Sequence, residues 1–420
     1  MAFIKNKTLY VLNDEGVYSP FYTVKNEQFL TADRISGLFS FNEYRQAIRS
    51  PINKRTSRIY ILNEDETIKR DISEYLVAGS VDMKHVSGQT RTANITLSNT
   101  KNEWKPSPTN DTFWKGTKFR IDTGIYFNGQ VFWKKCGIFT PGDFTLDDDA
   151  MTISFQMYDK FALIDGTVAG RATNDFKIPV GTSIKLAIEK CLAIDKGDGK
   201  PYDSKPIMFP SKYKDEVTPY TLTQTSGTSI GDLIIELATM IFCDVSYNDD
   251  GNLTIVDGLN AENVEYGSVN WYFADNELSY SNPNIVIGLS KVVNEIKVLG
   301  AIENGKQYKG IAQNTSAKSQ TNIKFTPIMS QEISDNNIIG DDNCLNRAKY
   351  ELKKLSMLNF QLNFKSVFIP HLLPNTMVFW SNKRHNIRNG KFVINTIRFD
   401  LVNNDGMELS LTNMEDIAIV

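Results

Sequence analysis

The sequence predicts a mainly β chain in which one β-domain occurs twice, with a helix-containing region between the copies. Three observations carry this. Most segments alternate apolar and polar residues with period two. Amphipathic helical stripes are few. Two pairs of segments echo one another at nearly the same separation.

The strands come first. Residues 91–99, "RTANITLSN", set Ala93, Ile95 and Leu97 on one face. Residues 118–124, 151–159, 293–300, 391–402 and 407–413 alternate in the same way, which marks strands with one buried face. Asp147-Asp148-Asp149, Asp249-Asp250-Gly251 and Asn403-Asn404-Asp405-Gly406 supply turns between them. Over 228–242, Ile230, Leu233, Ile234, Leu237, Ala238 and Ile241 fall on one helical face. Ser229 followed by Asp232 is a capping box with a shortened acid. Residues 182–192 repeat the design with Ile184, Ala187, Ile188 and Cys191. Residues 341–356 place Leu345, Ala348, Leu352 and Leu355 on a face, with an acidic start and basic end that suit the helix dipole. The polar stretches 196–228 and 301–343 are expected to be long surface loops or excursions toward a neighbouring subunit.

The echo supports duplication. "GTKFRI" (116–121) matches "NTMVFW" (375–380), an offset of 375 − 116 = 259 residues. Prolines precede both, Pro106 and Pro108 in the first copy and Pro370 and Pro374 in the second. "DDDAMTISF" (147–155) matches "NNDGMELSL" (403–411), an offset of 403 − 147 = 256. The order is kept and the drift is small, as for a domain present twice.

At 420 residues the chain is too long for one ordinary core and suits roughly two to four domains. A composition of 41% hydrophobic and 23% charged residues is that of a folded protein, not a disordered one. The formal net charge of −3 argues against tight binding of nucleic acid through its phosphates, while leaving passage over a weakly acidic surface open. The start lacks an apolar run suited to a signal peptide, and "IGDLIIELATMIFCDV" is too short and too charged to span a bilayer. Cys136, Cys191, Cys243 and Cys344 are far apart and form no CxxC, so buried free thiols are expected.

A search for chemistry finds no catalytic constellation. His85, His371 and His385 have no ligand-spaced partner, and HExxH, GxSxG and P-loop patterns are absent. The acidic runs fit turns better than a glycosidase pair or a calcium loop. The basic group Lys383, Arg384, His385, Arg388 and Lys391 fits a solvated hairpin tip, with no aromatic interleaved to stack a base. A structural or interaction protein is therefore expected.

The segments 95–124 ("ITLSNTKNEWKPSPTNDTFWKGTKFRIDTG"), 136–144 ("CGIFTPGDF") and 151–166 ("MTISFQMYDKFALIDG") resemble the tail hub, or baseplate central hub, proteins of tailed bacteriophages. The helix and hairpin of 228–258 and the C-terminal 368–401 are also similar to that family, so the likeness covers about residues 45–415. Against that resemblance the first forty or so residues show no counterpart, and no peptidase or carbohydrate-binding extension is expected after the second copy.

The resemblance implies two similar antiparallel β-barrel tube domains with an α+β middle region. The expected division is an arm (1–44), a first barrel (45–175), a middle domain (176–260) and a second barrel (261–420) with its excursion at 301–343. It further implies a non-enzymatic virion protein, a homotrimer whose six barrels form a pseudo-hexameric ring. That ring joins a tail tube or distal tail ring above to a spike, tip or tape-measure protein below, and DNA passes through it. No cofactor, metal or membrane insertion is expected. The expected location is the virion tail, after synthesis in the host cytoplasm. Alternatives are a carbohydrate- or receptor-binding module using Trp104, Trp114 or Trp133 as sugar platforms, and a cell-wall hydrolase. The candidate subunit-interface residues are Trp104, Phe113, Trp114, Trp133, Arg384 and Arg388. Trp114 has Leu373 at the equivalent place, which favours packing. Trp104 has no such match and is the better interface candidate.

Overall fold

A computed structural model of the chain describes residues 2–5, 8–12, 18–23, 47–48, 54–104, 113, 116–127, 130–257, 271–274, 280–288, 292–317, 319–355 and 359–413. Strands β1 (Ala2–Lys5), β2 (Thr8–Leu12) and β3 (Tyr18–Thr23) form a small antiparallel sheet. The rest of the expected N-terminal arm lies outside the described residues.

The first lobe comprises β4 (Lys54–Leu62), β5 (Ile68–Asp71), β6 (Leu76–Lys84), β7 (Arg91–Ser98), β8 (Phe119–Phe127), β9 (Gln130–Asp147) and β10 (Thr152–Asp159). The middle region follows with β11 (Phe176–Ile178), α1 (Ile184–Leu192), β12 (Leu222–Gln224), α2 (Ile230–Met240), β13 (Cys243–Tyr247) and β14 (Leu253–Asp257). The chain then passes through β15 (Trp271–Phe273) and β16 (Tyr280–Gly288), β17 (Glu295–Glu303), β18 (Lys306–Gln313), β19 (Ser330–Ser334) and α3 (Asp341–Leu355). It ends in β20 (Asn359–Ser366), β21 (Met377–Asn382), β22 (Ile387–Asp400) and β23 (Met407–Asn413). The protein is mainly β, as the period-two patterning predicts.

The two lobes have one topology. The first is ordered β6-β7-β10-β9-β8-β4 and the second β16-β20-β23-β22-β21-β15, strand for strand equivalent. The echoing segments fall on equivalent elements, β8 with β21 and the β9–β10 turn with the β22–β23 turn. Even the irregularities recur. The ladder shifts between Phe155 and Met157 in one lobe and between Ile394 and Thr396 in the other. It shifts again near Val77 on β6 and near Asn282 on β16. Bulges re-aim a strand and are built-in features of a sheet, so shared bulges are a strong mark of duplication. The outermost strands differ, since β4 is antiparallel to β8 and β15 is parallel to β21.

Neither lobe closes its ladder into a separate barrel among the described residues. Instead, antiparallel pairing of β6 with β22 merges them into one 13-stranded sheet. One hydrophobic core runs beneath both lobes, from Ile95 and Phe155 to Trp380 and Leu411.

A second core is built by α1, α2 and β13. Ser229 caps α2 as the sequence indicates, its Oγ accepting from the Asp232 N–H at 3.0 Å. This core also takes in Ile296, Val298, Ala312, Ile338, Cys344 and Leu352. The expectation of loops over 301–343 is thus corrected. β17, β18 and β19 form a sheet, and α3 covers it so closely that a Cβ at Gly310 would strike the backbone of Cys344 and Leu345. The polar pattern of β18 reflects one buried face, on which Gly310 and Ala312 alternate with exposed residues. Residues 196–228 are mostly turns and irregular chain, as expected. Among the described residues, no helix is long and apolar enough to cross a membrane.

Candidate functional site

The surface that the fold assembles with most care is the outer face of the merged sheet. Period-two alternation sends Ala93, Ile95 and Leu97 of β7 inward and leaves Thr92, Asn94 and Thr96 outside. On β10, Ser154 and Gln156 lie outside, and Thr96 Oγ1 and Ser154 Oγ are 3.0 Å apart. β20 and β23 contribute Asn363 and Ser410, directly opposite each other.

At the seam a row of charges crosses from lobe to lobe. Lys365 faces Glu408, Glu408 faces Arg398, Arg398 faces Asp82, and Asp82 faces Thr92. Two cations alternate with two anions, each pair on directly opposite strand positions, the arrangement that favours cross-strand attraction. Arg398 Nε lies 3.6 Å from Asp82 Oδ1. Burial raises the Asp82 carboxyl, with Arg398 opposing that rise. A shallow depression of about 580 Å³ opens over this seam. The face is therefore rich in hydroxyl and amide groups and nearly neutral.

Arg55 ties the seam together beneath this face. Its Nη1 and Nη2 donate to the carbonyls of Asp400 and Gly406, its backbone N–H donates to Asn404 Oδ1 at 2.9 Å, and its guanidinium lies 4.2 Å over Phe368. Burial lowers Arg55 to about 10, which leaves it charged at neutral pH. Ser57 Oγ adds a bond to the Leu401 carbonyl at 2.7 Å.

A different joint fixes the first lobe to the middle region. Lys160 is 1% exposed, with Nζ 2.7 Å from Glu66, 2.8 Å from Asp203 and 2.9 Å from the Gly251 carbonyl. Glu66 also meets Lys118 at 2.8 Å and Lys205. Burial acts to raise Glu66, but Lys160, Lys118 and Lys205 together bring it down to about 2. Burial lowers the Lys160 ammonium, with Asp203 and Glu66 opposing. Nearby, Arg91 reaches Asp249 at 2.7 Å, Lys134 also pairs with Asp249, and Lys135 meets Asp250 at 2.9 Å. Asp249 and Asp250 do make the β13–β14 turn, yet they also hold the first lobe. The sequence reading missed that second role because the turn explains the residues locally and their partners lie 115–158 positions away.

The candidate interface residues scatter. Trp104 is a correction. It is 1% exposed, its Nε1 donates to the Ser98 carbonyl at 2.9 Å, and its ring meets Tyr75 at 4.9 Å and Phe113 at 5.3 Å. Phe113 is buried too, against Phe119 and Phe155. Both rings fill the first lobe's core and offer no surface to a neighbour or a sugar. Trp114 lies outside the described residues. Trp133 is half-buried on β9, under the Arg58 guanidinium at 3.8 Å. Arg384 and Arg388 are exposed at the β21–β22 hairpin tip, as are Lys383 and His385, while Lys391 is half-buried within β22 opposite Phe379. The four cysteines are free and buried. Among the described residues, no group of three His, Cys, Asp or Glu side chains is placed to hold a metal ion.

No family model matches the sequence, and no curated protein sequence does. Solved structures do match. The tail protein from Neisseria meningitidis MC58 superposes over 86% of this chain and 97% of its own, with a TM-score of 0.55 at 12% identity. The chain has a phage tail-protein fold. The 43 kDa tail protein of prophage MuSo2 from Shewanella oneidensis gives 0.56 at 11% identity, over 86% of this chain and 98% of that one. The prophage tail protein gp18 from Listeria monocytogenes EGD-e gives 0.51 at 16% identity, over 85% and 94%. The tail-protein fold thus spans both lobes and the middle region together.

Proposed function

We propose that the chain is a structural hub of a phage tail or baseplate, acting by assembly and not by catalysis. The observation that carries the reading is the merged sheet, with two equivalent lobes joined edge to edge under a continuous, polar, nearly neutral face. Three copies would set six lobes in a ring, with that face lining the channel. Hydroxyl and amide groups with balanced charge would let a polyanion slide past without holding it, because phosphate affinity comes chiefly from unbalanced Lys and Arg. The ring would adapt a tube or tail ring on one side to a spike, tip or tape-measure protein on the other. Arg384 and Arg388, exposed on a hairpin tip, are candidates for contact with such a neighbour. Likeness of fold to tail proteins along nearly their whole length supports the reading. Trp104 within the core removes a main platform of a sugar-binding alternative. Electron microscopy of the purified protein, or of tails that contain it, tests the proposal. A threefold ring is expected, and particles of single chains in both preparations would end it.

A further inference from the structure

Glu236 sits on α2 among apolar residues that face the second core. Leu233 and Leu237 beside it share that core with Ile338, Cys344 and Ala348, which belong to α3 and the connection leading into it. Asn337, in the same connection between β19 and α3, supplies a side-chain hydrogen bond to the Glu236 carboxyl. The other oxygen fares worse. Oε1 is sealed from solvent and has no hydrogen-bond partner among the described residues. A carboxylate placed in this way gives up hydration on one oxygen without compensation, whereas the neutral acid gives up far less.

The charges around it do not repair this. Asp335, also in the connection, carries the same sign and acts against ionisation. Arg347 on α3 is the opposing cation, but its Nε is engaged by Glu351 at 2.9 Å. Asp232, one turn earlier on α2, is exposed. Tyr220, ahead of β12, and Cys344 on α3 are the remaining titratable groups in this electrostatic cluster. Burial pushes both upward, so both stay neutral near neutral pH. The connection itself has little slack. The Asp335 N–H donates to the Leu299 carbonyl and the Ala301 N–H to the Ile338 carbonyl, each at 2.8 Å, which pins it to β17 at two points. A Cβ at Gly300 would strike the Ile338 carbonyl and the Cys344 thiol.

We propose that Glu236 is a proton-operated latch in the middle region: the neutral acid lets α2 close on the β19–α3 connection, and ionisation loosens that contact. The latch is internal to one chain and works whether or not copies assemble. Burial first, and then the Asp335 charge, raise the carboxyl from the ordinary 4.5 to about 7, with Arg347 and Asn337 opposing. An acid raised in the fold contributes its full stability below about pH 4.5, and that contribution is lost as the pH climbs through about 7. The middle region is thus tight in mildly acidic solution and looser above neutrality. Glu66 in the joint with the first lobe works in the opposite sense, since its carboxyl is brought down.

Hydrogen exchange of the full-length protein tests the latch. It is read by mass spectrometry over a series from about pH 5.5 to about pH 8.5, corrected for the intrinsic pH dependence of exchange. Peptides covering α2 and residues 335–347 should lose protection by roughly thirtyfold across the series, as expected for an acid that moves from about 7 to 4.5 when the segment opens. Glu236→Gln keeps the shape and removes the titration, so the same peptides should be equally protected throughout. Asp335→Asn removes the neighbouring like charge at a half-buried site and should move the loss to lower pH. No loss in the unaltered chain, or a loss that persists in Glu236→Gln, overturns the latch. Should Glu236→Gln fail to fold, Asp335→Asn decides, and a loss that it leaves at the same pH equally overturns the latch.

Discussion

The seam between the two lobes and the joint between the first lobe and the middle region hold the same molecule together by opposite means. The seam is a backbone ladder, with Arg55 beneath it and an exposed, balanced charge row above. The middle joint is a set of buried ion pairs centred on Lys160 and Asp249. A ladder makes few demands on sequence and can be repeated wherever a free edge of the right length exists. A buried charge cluster fits only its own partners and is used once in the chain.

The largest effect should come from breaking the brace. Lys160→Ala leaves Glu66 and Asp203 short of a buried cation, and losing one partner of such a group costs about 3–5 kcal/mol. Chemical denaturation should show this loss together with looser packing of the middle region. Trp104→Ala sets the scale for a core change that touches neither joint, with a loss of about 3–5 kcal/mol. If it weakened only assembly and not folding, the placement of Trp104 in the core would be wrong.

A titration sharpens the contrast. Glu66 has its folded value brought down to about 2 from the ordinary 4.5. Its contribution is therefore complete above about pH 4.5 and is lost as the pH falls toward 2. Glu66→Gln should lower stability at neutral pH, and its gap from the unaltered chain should close as the pH falls through that window. A gap independent of pH would remove the charge from the account. The smallest effect is expected at the seam, where Arg398→Ala breaks an exposed pair worth roughly 0–1 kcal/mol. Calorimetry should find it nearly silent, which would show the ladder carrying the seam.

The same contrast explains what the sequence made legible. The ladder is local in origin, since period-two alternation and turn residues mark β7, β10, β22 and β23, and the echo at 147–155 and 403–411 lands on equivalent hairpins. The brace is not local. Lys160, Glu66 and Asp203 each look like ordinary surface charges until the fold brings them together. The burial of Trp104 was hidden for a related reason, because a proline-rich connection gives no periodicity to show which way a ring points. Residues 301–343 appeared loop-like because their few apolar positions suffice only when the middle core receives them. The polar outer face was visible as alternation on each strand, but its continuity across both lobes required the β6–β22 pairing.

The central proposal is that copies of the chain close into a ring. Native mass of the purified protein over a range of concentrations tests it most directly. The account predicts a discrete species at three times the 47.5 kDa chain. A single chain at every concentration, with no threefold ring in tails that contain the protein, would contradict it.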